Sequence, residues 1–230
     1  GVAPFPPGPK HSIETIIRFP AKCKPLRLLL VRHGETDWNK LGKFQGQCEV
    51  PLNKRGHGQA RQTARAVTRG PLSAIYSSPL FRTMQTAEEI SRSAQTKIIP
   101  LDGLKELDLG ELEGITGSEM RSGWSQVYSE WRNDPAGVSL PKGESLKQLQ
   151  DRTWHAFLEI ESAHQMGDTL VAVSHNFAIR TIVCKLLGLP LANFHRMALS
   201  LASICTVEMG DFGRRLVVYN STGHLSPKYR

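Results

Sequence analysis

No apolar run in this 230-residue chain approaches the roughly 20 residues a membrane-crossing helix needs. A protein built on spanning helices is therefore not expected. Cysteine is scarce: Cys23, Cys48, Cys184 and Cys205 are scattered, with no C-x-x-C pair. That excludes a disulfide scaffold and a structural zinc site, and it fits a reducing compartment, the cytoplasm. Cys184 and Cys205 lie in apolar surroundings and read as core residues. No carboxylate or histidine cluster has metal-ligand spacing, so no metal and no cofactor are expected. There is no internal repeat, no low-complexity linker and no nucleic-acid motif. Residues 1–25 hold six prolines, no apolar stretch of signal-peptide length, and Glu14, which is unusual in a transit peptide. They read as an irregular N-terminal extension, with Ile13, Ile16 and Ile17 able to form one docked turn.

What the chain does have is 40% hydrophobic and 22% charged residues, ordinary for one globular domain, here 26–230. Its net charge of +8 favours anionic ligands but selects no particular one; a solvated basic surface gives the same number. Leu28 to Val31 is an unbroken aliphatic run, suited to a strand buried on both faces of a parallel sheet. It stops at Arg32-His33-Gly34. A cation and an imidazole at the end of a core strand are costly to desolvate unless an anion sits opposite. A phosphoryl group satisfies both, because the Arg fork binds its oxygens and a neutral imidazole can attack phosphorus.

Further strands are expected at Leu72 to Ser77, Lys97 to Ile99 and Thr169 to Val173, with an antiparallel pair at Ser203 to Glu208 and Arg215 to Tyr219. Helical spacing appears after Asn53, a plausible N-cap, in Ala60, Ala64 and Val67. It recurs in Leu80, Met84, Ala87 and Ile90, in Trp124 to Trp131, in Leu146 to Ala163, and from Phe177 to Leu187. Trp38 to Pro51 reads as loop. The alternation predicts an α/β fold, a mostly parallel central sheet with helices on both faces. In such sheets ligands bind beyond the carboxyl ends of the strands. There the chain places Arg32 and His33, then Arg82, then Glu106, then His175.

Arg32-His33-Gly34-Glu35-Thr36 with Asn39 resembles the signature of the histidine phosphatase superfamily, also called the phosphoglycerate mutase-like family. Arg82, Glu106, Glu113-Gly114 and His175 match its later motifs in order, over residues 26 to 188. The resemblance implies a three-layer sandwich and a phosphohistidine formed on His33. Arg32, Arg82 and a protonated His175 would neutralise the phosphoryl oxygens. Glu106 is singled out as proton donor by the resemblance; the residues alone leave it level with Asp102, Asp108, Glu111 and Glu113 in the same loop. Asn39 is implied to contact the phosphate, with Thr36, Gln45 and Gly46 bordering the substrate. Family members often carry Gly where this chain has Asn176, a side chain placed to meet the leaving group.

Each assignment has a plainer rival. His33 as a satisfied core histidine leaves Arg32 without a buried partner, so the nucleophile is favoured. Arg82 near a helix start is badly placed as a surface cation, and His175 before a helix is either a cap or an anion contact. His11, His57, His155, His164 and His195 read as surface residues. His224 is open, since the C-terminal segment approaches the pocket in some members. The family's mutases carry a longer insertion with adjacent arginines; Arg121 and Arg132 stand apart here, which favours a phosphatase. The substrate is then a small phosphorylated metabolite, with neither nucleic acid nor membrane as partner, and a homodimer is an allowed assembly. A non-catalytic anion-binding module is the alternative of a different class.

Overall fold

The computed structural model describes residues 24–230; the expectations for Ile13, Ile16, Ile17, His11 and Cys23 lie outside them. Six strands form one sheet: β1 (Leu26–Arg32), β2 (Ala74–Ser77), β3 (Ile98–Pro100), β4 (Thr169–Ser174), β5 (Ile204–Gly210) and β6 (Gly213–Ser221). Their order is β3-β2-β4-β1-β5-β6. The first four run parallel; β5 pairs antiparallel with β1, and β6 pairs antiparallel with β5 at the sheet edge. The helices are α1 (Asp37–Lys40), α2 (Lys54–Val67), α3 (Phe81–Ala94), α4 (Gly117–Gly123), α5 (Ser125–Asn133), α6 (Leu146–Ser162) and α7 (Asn176–Leu186). The expected α/β sandwich is what forms. Two helices were not legible: α1 inside the predicted loop, and α4 before the aromatic α5.

The pleat divides the central strands between two cores. Leu28 and Leu30 of β1, with Leu170 and Ala172 of β4, pack on one face against Phe157 and Ile160 of α6 and Ile179 and Ile182 of α7. Val31, Val171 and Val173 point the other way, onto Ala64 and Val67 of α2 and Ala87 and Ile90 of α3. The helices arise where the sequence supplies caps. Asn53 accepts the Gly56 N–H at 2.9 Å to start α2, and Ser145 with Gln148 forms a capping box on α6. A third apolar cluster lies beyond the strand ends. There Leu107, Leu109, Leu112, Met120 and Leu140 meet Trp124, Tyr128 and Trp131 of a small cap formed by α4 and α5.

Sheet order is what builds the site. Placing β4 between β1 and β2 sets Arg32 opposite Ser174 and Ser77 opposite Val173. Three strand ends, with the residues that follow them, therefore open on one spot.

Candidate active site

His33 follows β1 with its backbone still held as in the sheet: its N–H donates to Ser174 and its carbonyl accepts from Ala202, both at 3.1 Å. The side chain is buried. Nδ1–H donates to the carbonyl of Gly34 at 2.7 Å, which leaves the Nε2 lone pair free. Burial, then the charges of Arg82 and Arg32, lower the His33 pKa well below the usual imidazole value, so the ring is neutral. Gly34 has to be glycine because a Cβ there would stand 2.5 Å from the Gly56 carbonyl oxygen.

His175, at the N-cap of α7, is wholly buried behind His33, with ring centroids 5.2 Å apart. Its Nε2 pairs with Ser78 Oγ at 2.8 Å, and its Nδ1 has no partner. Burial, then Arg82, His33 and Arg32, depress this histidine too. A protonated His175 was expected opposite a phosphoryl group; burial and the neighbouring cations by themselves favour the neutral ring. Ser78 resolves what that neutrality leaves open. If its hydroxyl donates to Nε2, Nδ1 carries the hydrogen and is a donor without protonation.

Two guanidinium groups face this pair. Arg32 donates through Nη1 to the Leu199 carbonyl at 2.5 Å. Burial is the main reason its pKa falls, to about 10, and it stays charged at neutral pH. Arg82, in the first turn of α3, is buried and donates to the carbonyls of Cys48 (2.8 Å) and Gly46 (2.6 Å). It thus pins the 45–48 loop. Glu113 closes that loop from the other side, accepting from the Gln47 N–H at 2.6 Å and from Cys48 Sγ at 2.8 Å. Burial and this carboxylate push the Cys48 thiol up to about 11. Gly46 has φ +50°, a conformation that favours glycine, and a Cβ there would lie 2.0 Å from Glu113 Oε1 and displace that carboxylate.

Glu106 reaches the start of α7. Its Oε1 accepts from the N–H groups of Leu107, Phe177 and Ala178 at 2.9–3.1 Å, and Oε2 shares only the Phe177 N–H. Oε2 is the oxygen left to carry a proton. The loop beneath is clamped by Arg152 of α6, which donates to the carbonyls of Gly103, Lys105 and Glu106 and pairs with Glu144.

Arg32, His33, Arg82 and Glu106 line one pocket of about 190 Å³ with Asn39, Gln45, Gly46 and Asn176. Among the described residues, four buried side-chain atoms around it have no partner: Arg32 Nε, Arg82 Nε, His175 Nδ1 and Asn176 Oδ1. Buried polar groups are normally satisfied, and three of these four are suited to donate to an oxyanion. Thr36 departs from the expectation. It is buried off the pocket wall, where its hydroxyl caps α1 and bonds Gln45 at 3.0 Å, so it orients Gln45 and Asn39 rather than bordering the substrate. His164 departs as well: it is half-buried against the Tyr76 hydroxyl at 2.9 Å, with Asp168 beside it. His224 pairs with Thr63 on α2, away from the pocket wall.

The residues missed from sequence are Ser78, Arg152, Lys43, Phe44, Leu109 and Phe177. Only Ser78 carried a signal, since it follows a strand that the sheet order makes a neighbour of β4. Among the described residues no three His, Cys, Asp or Glu side chains are grouped to hold a metal ion, and no helix is long and apolar enough to cross a membrane.

A family model described as the histidine phosphatase superfamily (branch 1) matches residues 28–222. The chain belongs to this superfamily. Phosphoserine phosphatase 1 of Hydrogenobacter thermophilus is 34% identical over 204 residues, covering 89% of this chain and 96% of that protein. A protein of Escherichia coli named as a probable phosphoglycerate mutase is 35% identical over 187 residues, 80% of this chain and 85% of that one. Among solved structures, YhfR of Bacillus stearothermophilus superposes with a TM-score of 0.83 at 26% identity, covering 87% of this chain and 100% of that one. The reaction class that comes with this membership is hydrolysis of phosphate monoesters.

Proposed function

We propose that the chain hydrolyses a small phosphorylated metabolite through a phosphohistidine on His33 Nε2. The observation that carries this reading is the state of His33. The ring is neutral, its Nδ1–H is tied to the Gly34 carbonyl, and it lines a pocket shared with two arginines and Glu106. Nε2 attacks phosphorus in line, and the ester oxygen leaves with the proton of Glu106 Oε2. Water then gives a proton back to Glu106 and attacks phosphorus, the P–N bond breaks, and inorganic phosphate departs with His33 neutral again. Arg32 and Arg82 hold the equatorial oxygens in both steps, with the His175 Nδ1–H between them. Charge neutralisation is assigned to these groups, so exhaustive chelation by EDTA is expected to leave the rate unchanged. A loss restored by magnesium or zinc would overturn that assignment.

Hydrolysis is favoured over transfer to a second substrate because a mutase must hold a second anionic group. Beyond the phosphate cluster the pocket wall offers, among the described residues, one cation, Lys43. Arg121 and Arg132 are exposed on the cap, each against the Tyr128 ring at 5.2 and 6.0 Å from its centroid. The relatives' names include both phosphoserine and phosphoglycerate chemistry. Turnover of phosphoserine and of 3-phosphoglycerate, scored as free phosphate against isomerised product, tests the choice. Free phosphate as the main product supports hydrolysis, and isomerisation outpacing it overturns the reading. Residence in the cytoplasm rests on cysteine usage, with Cys48, Cys184 and Cys205 as free thiols.

A further inference from the structure

The hydrolytic reading leaves a buried charge unused. Arg180 lies on α7, one helical turn beyond Asn176 and Phe177, which both line the catalytic pocket. It is 7% exposed. Its Nη2 donates to the Phe194 carbonyl at 2.5 Å. The guanidinium carbon stands 3.7 Å from the centroid of the Phe194 ring and 5.9 Å from that of Phe177. Its Nε has no partner. Among the described residues no carboxylate pairs with it.

A guanidinium keeps its proton in a protein, and a buried charge is costly unless it is paired. One carbonyl and one ring face offset part of that cost. Tyr219 adds no charge, because burial above all pushes its phenol up to about 12. The remaining compensation lies toward the catalytic pocket. Side chains alternate along β1, so Arg32 shares the face of Leu28 and Leu30, which α7 covers. After burial and Glu106, Arg180 is the next influence on the Arg32 pKa, which it lowers. Burial in turn lowers the Arg180 pKa, and Tyr219 and then Glu106 act against that fall. Glu106 is no lasting counter-charge, since the mechanism has it protonated when the ester is bound. The phosphoryl dianion then takes over that role.

We infer that Arg180 is a remote cation of the phosphate site: held under Phe177 and out of water, it strengthens binding of a dianion that it never touches. The inference rests on the phosphate reading of the pocket and adds a residue that the pocket wall does not contain.

Charge dependence separates this from a merely structural role. Sulfate and perchlorate are both tetrahedral, with two charges and one. Their inhibition constants against nitrophenyl phosphate are measured at fixed ionic strength. Across about 10 Å, at an effective dielectric constant between those of protein and water, a unit charge changes monoanion binding by about 3-fold. A dianion feels the square of that factor, about 10-fold. Arg180→Gln keeps a donor for the Phe194 carbonyl and should weaken perchlorate by the smaller factor and sulfate by the larger. Arg180→Lys keeps the charge and should hold both close to wild type. Lys185→Met removes an exposed cation from the same helix, where water screens it, and should change either by less than about 2-fold.

Wild type supplies a readout that no misfolded variant can hide. The nitrogen-15 signal of the Arg180 Nε–H should move on titration with sulfate, and about half as far with perchlorate at saturation. Equal weakening of both anions in Arg180→Gln, or an Nε signal that neither anion moves, overturns the inference. If neither sulfate nor inorganic phosphate competes with substrate in wild type, the phosphate reading beneath it fails as well. Competition in wild type with an unchanged sulfate-to-perchlorate ratio in Arg180→Gln removes Arg180 alone.

Discussion

The two walls of the pocket are held by different forces. On the phosphate side His33 and Glu106 are fixed by backbone hydrogen bonds, His175 by Ser78, and both arginines by backbone carbonyls. On the other side Phe44, Leu109 and Phe177 are held by packing within the cap cluster, where Trp131 meets Phe177 edge-on at 5.9 Å. Hydrogen bonds fix direction, which attack on phosphorus demands. Packing fixes volume and tolerates exchange of one apolar group for another. The groups proposed for the chemistry therefore sit at the strand ends, whereas the cap supplies an apolar wall. Variants on the two walls should fail in different ways.

The sharpest separation comes from His33→Ala. It removes the nucleophile, so turnover of every ester should be lost, whatever its leaving group. Rapid acid-free quenching of wild type should trap acid-labile phosphate on His33. Label recovered on a serine or an aspartate would reassign the nucleophile and dissolve the distinction between the walls.

Glu106→Gln comes next and links the two sides. The amide keeps the shape and the acceptor oxygen for the Phe177 and Ala178 N–H groups but carries no transferable proton. General acid–base catalysis is worth about 10²–10⁴-fold, and a loss in that range is expected for an alkyl phosphate. Nitrophenyl phosphate needs little protonation, so its phosphohistidine should form as a burst followed by slow turnover. Equal slowing of the burst from both esters would remove Glu106 as the acid and direct attention to Asp108 or Glu111.

Much of the phosphate wall was legible because it is written locally. A run such as Leu28 to Val31 ending in Arg32-His33 carries its own strand and its own change of polarity. Arg82 and His175 sit at helix starts, where a cation or an imidazole is odd enough to notice. Their convergence was not in the residues themselves, since it needs β4 between β1 and β2, a long-range pairing. By its own residues Glu106 was one acid among five; the resemblance singled it out, and the α7 amides and the Arg152 clamp show how it is held. The cap resisted more completely. Helix α4 has seven residues and α5 nine, too short for a clean buried stripe. The apolar wall of the pocket draws on Phe44, Leu109 and Phe177 from three distant segments. Thr36 was misplaced for the opposite reason: beside a catalytic motif, a residue that caps a helix looks like one that binds.

Acid should weaken the phosphate wall before it touches the cap. His33 and His175 have folded-state pKa values well below that of a free imidazole. The unfolded chain thus binds more protons as pH falls below about 6.5, and stability rises with pH across that window. The contribution is fully present above pH 6.5 and is lost as pH falls toward the folded-state values. Each ring contributes about 1.4 kcal/mol per pH unit there, or roughly 2–3 kcal/mol for both at pH 5.5. Half-buried His224, lowered mainly by burial, acts in the same sense. Denaturant melts at pH 7.0 and 5.5 measure the difference. His175→Asn should reduce the slope by about one ring's share, whereas Trp131→Ala in the cap should lower stability at both pH values without changing the slope. A slope that follows Trp131 instead would mean that the walls are not energetically separate.

The smallest expected effect tests how His175 donates while neutral. Its Nδ1 is buried without a partner, and its Nε2 lies 2.8 Å from Ser78 Oγ. The Leu80 N–H approaches the same oxygen at 3.4 Å, which favours a hydroxyl that points its hydrogen toward the ring. With Ser78 donating, Nε2 is the acceptor and Nδ1–H is ready for a phosphoryl oxygen. Ser78→Ala removes that choice of tautomer without touching the phosphate. A hydrogen bond of this kind is worth about 0.5–1.5 kcal/mol, so kcat/KM should fall by roughly 2- to 12-fold. Competitive inhibition by inorganic phosphate should weaken by the same factor. Ser78→Thr, which keeps the hydroxyl, should restore most of both. Nitrogen-15 shifts of His175 should show Nδ1 protonated in wild type and a mixture in Ser78→Ala. If phosphate inhibits Ser78→Ala as well as wild type, or if Nε2 carries the hydrogen in wild type, Ser78 only fills space. His175 would then need a proton from the incoming dianion to bind it.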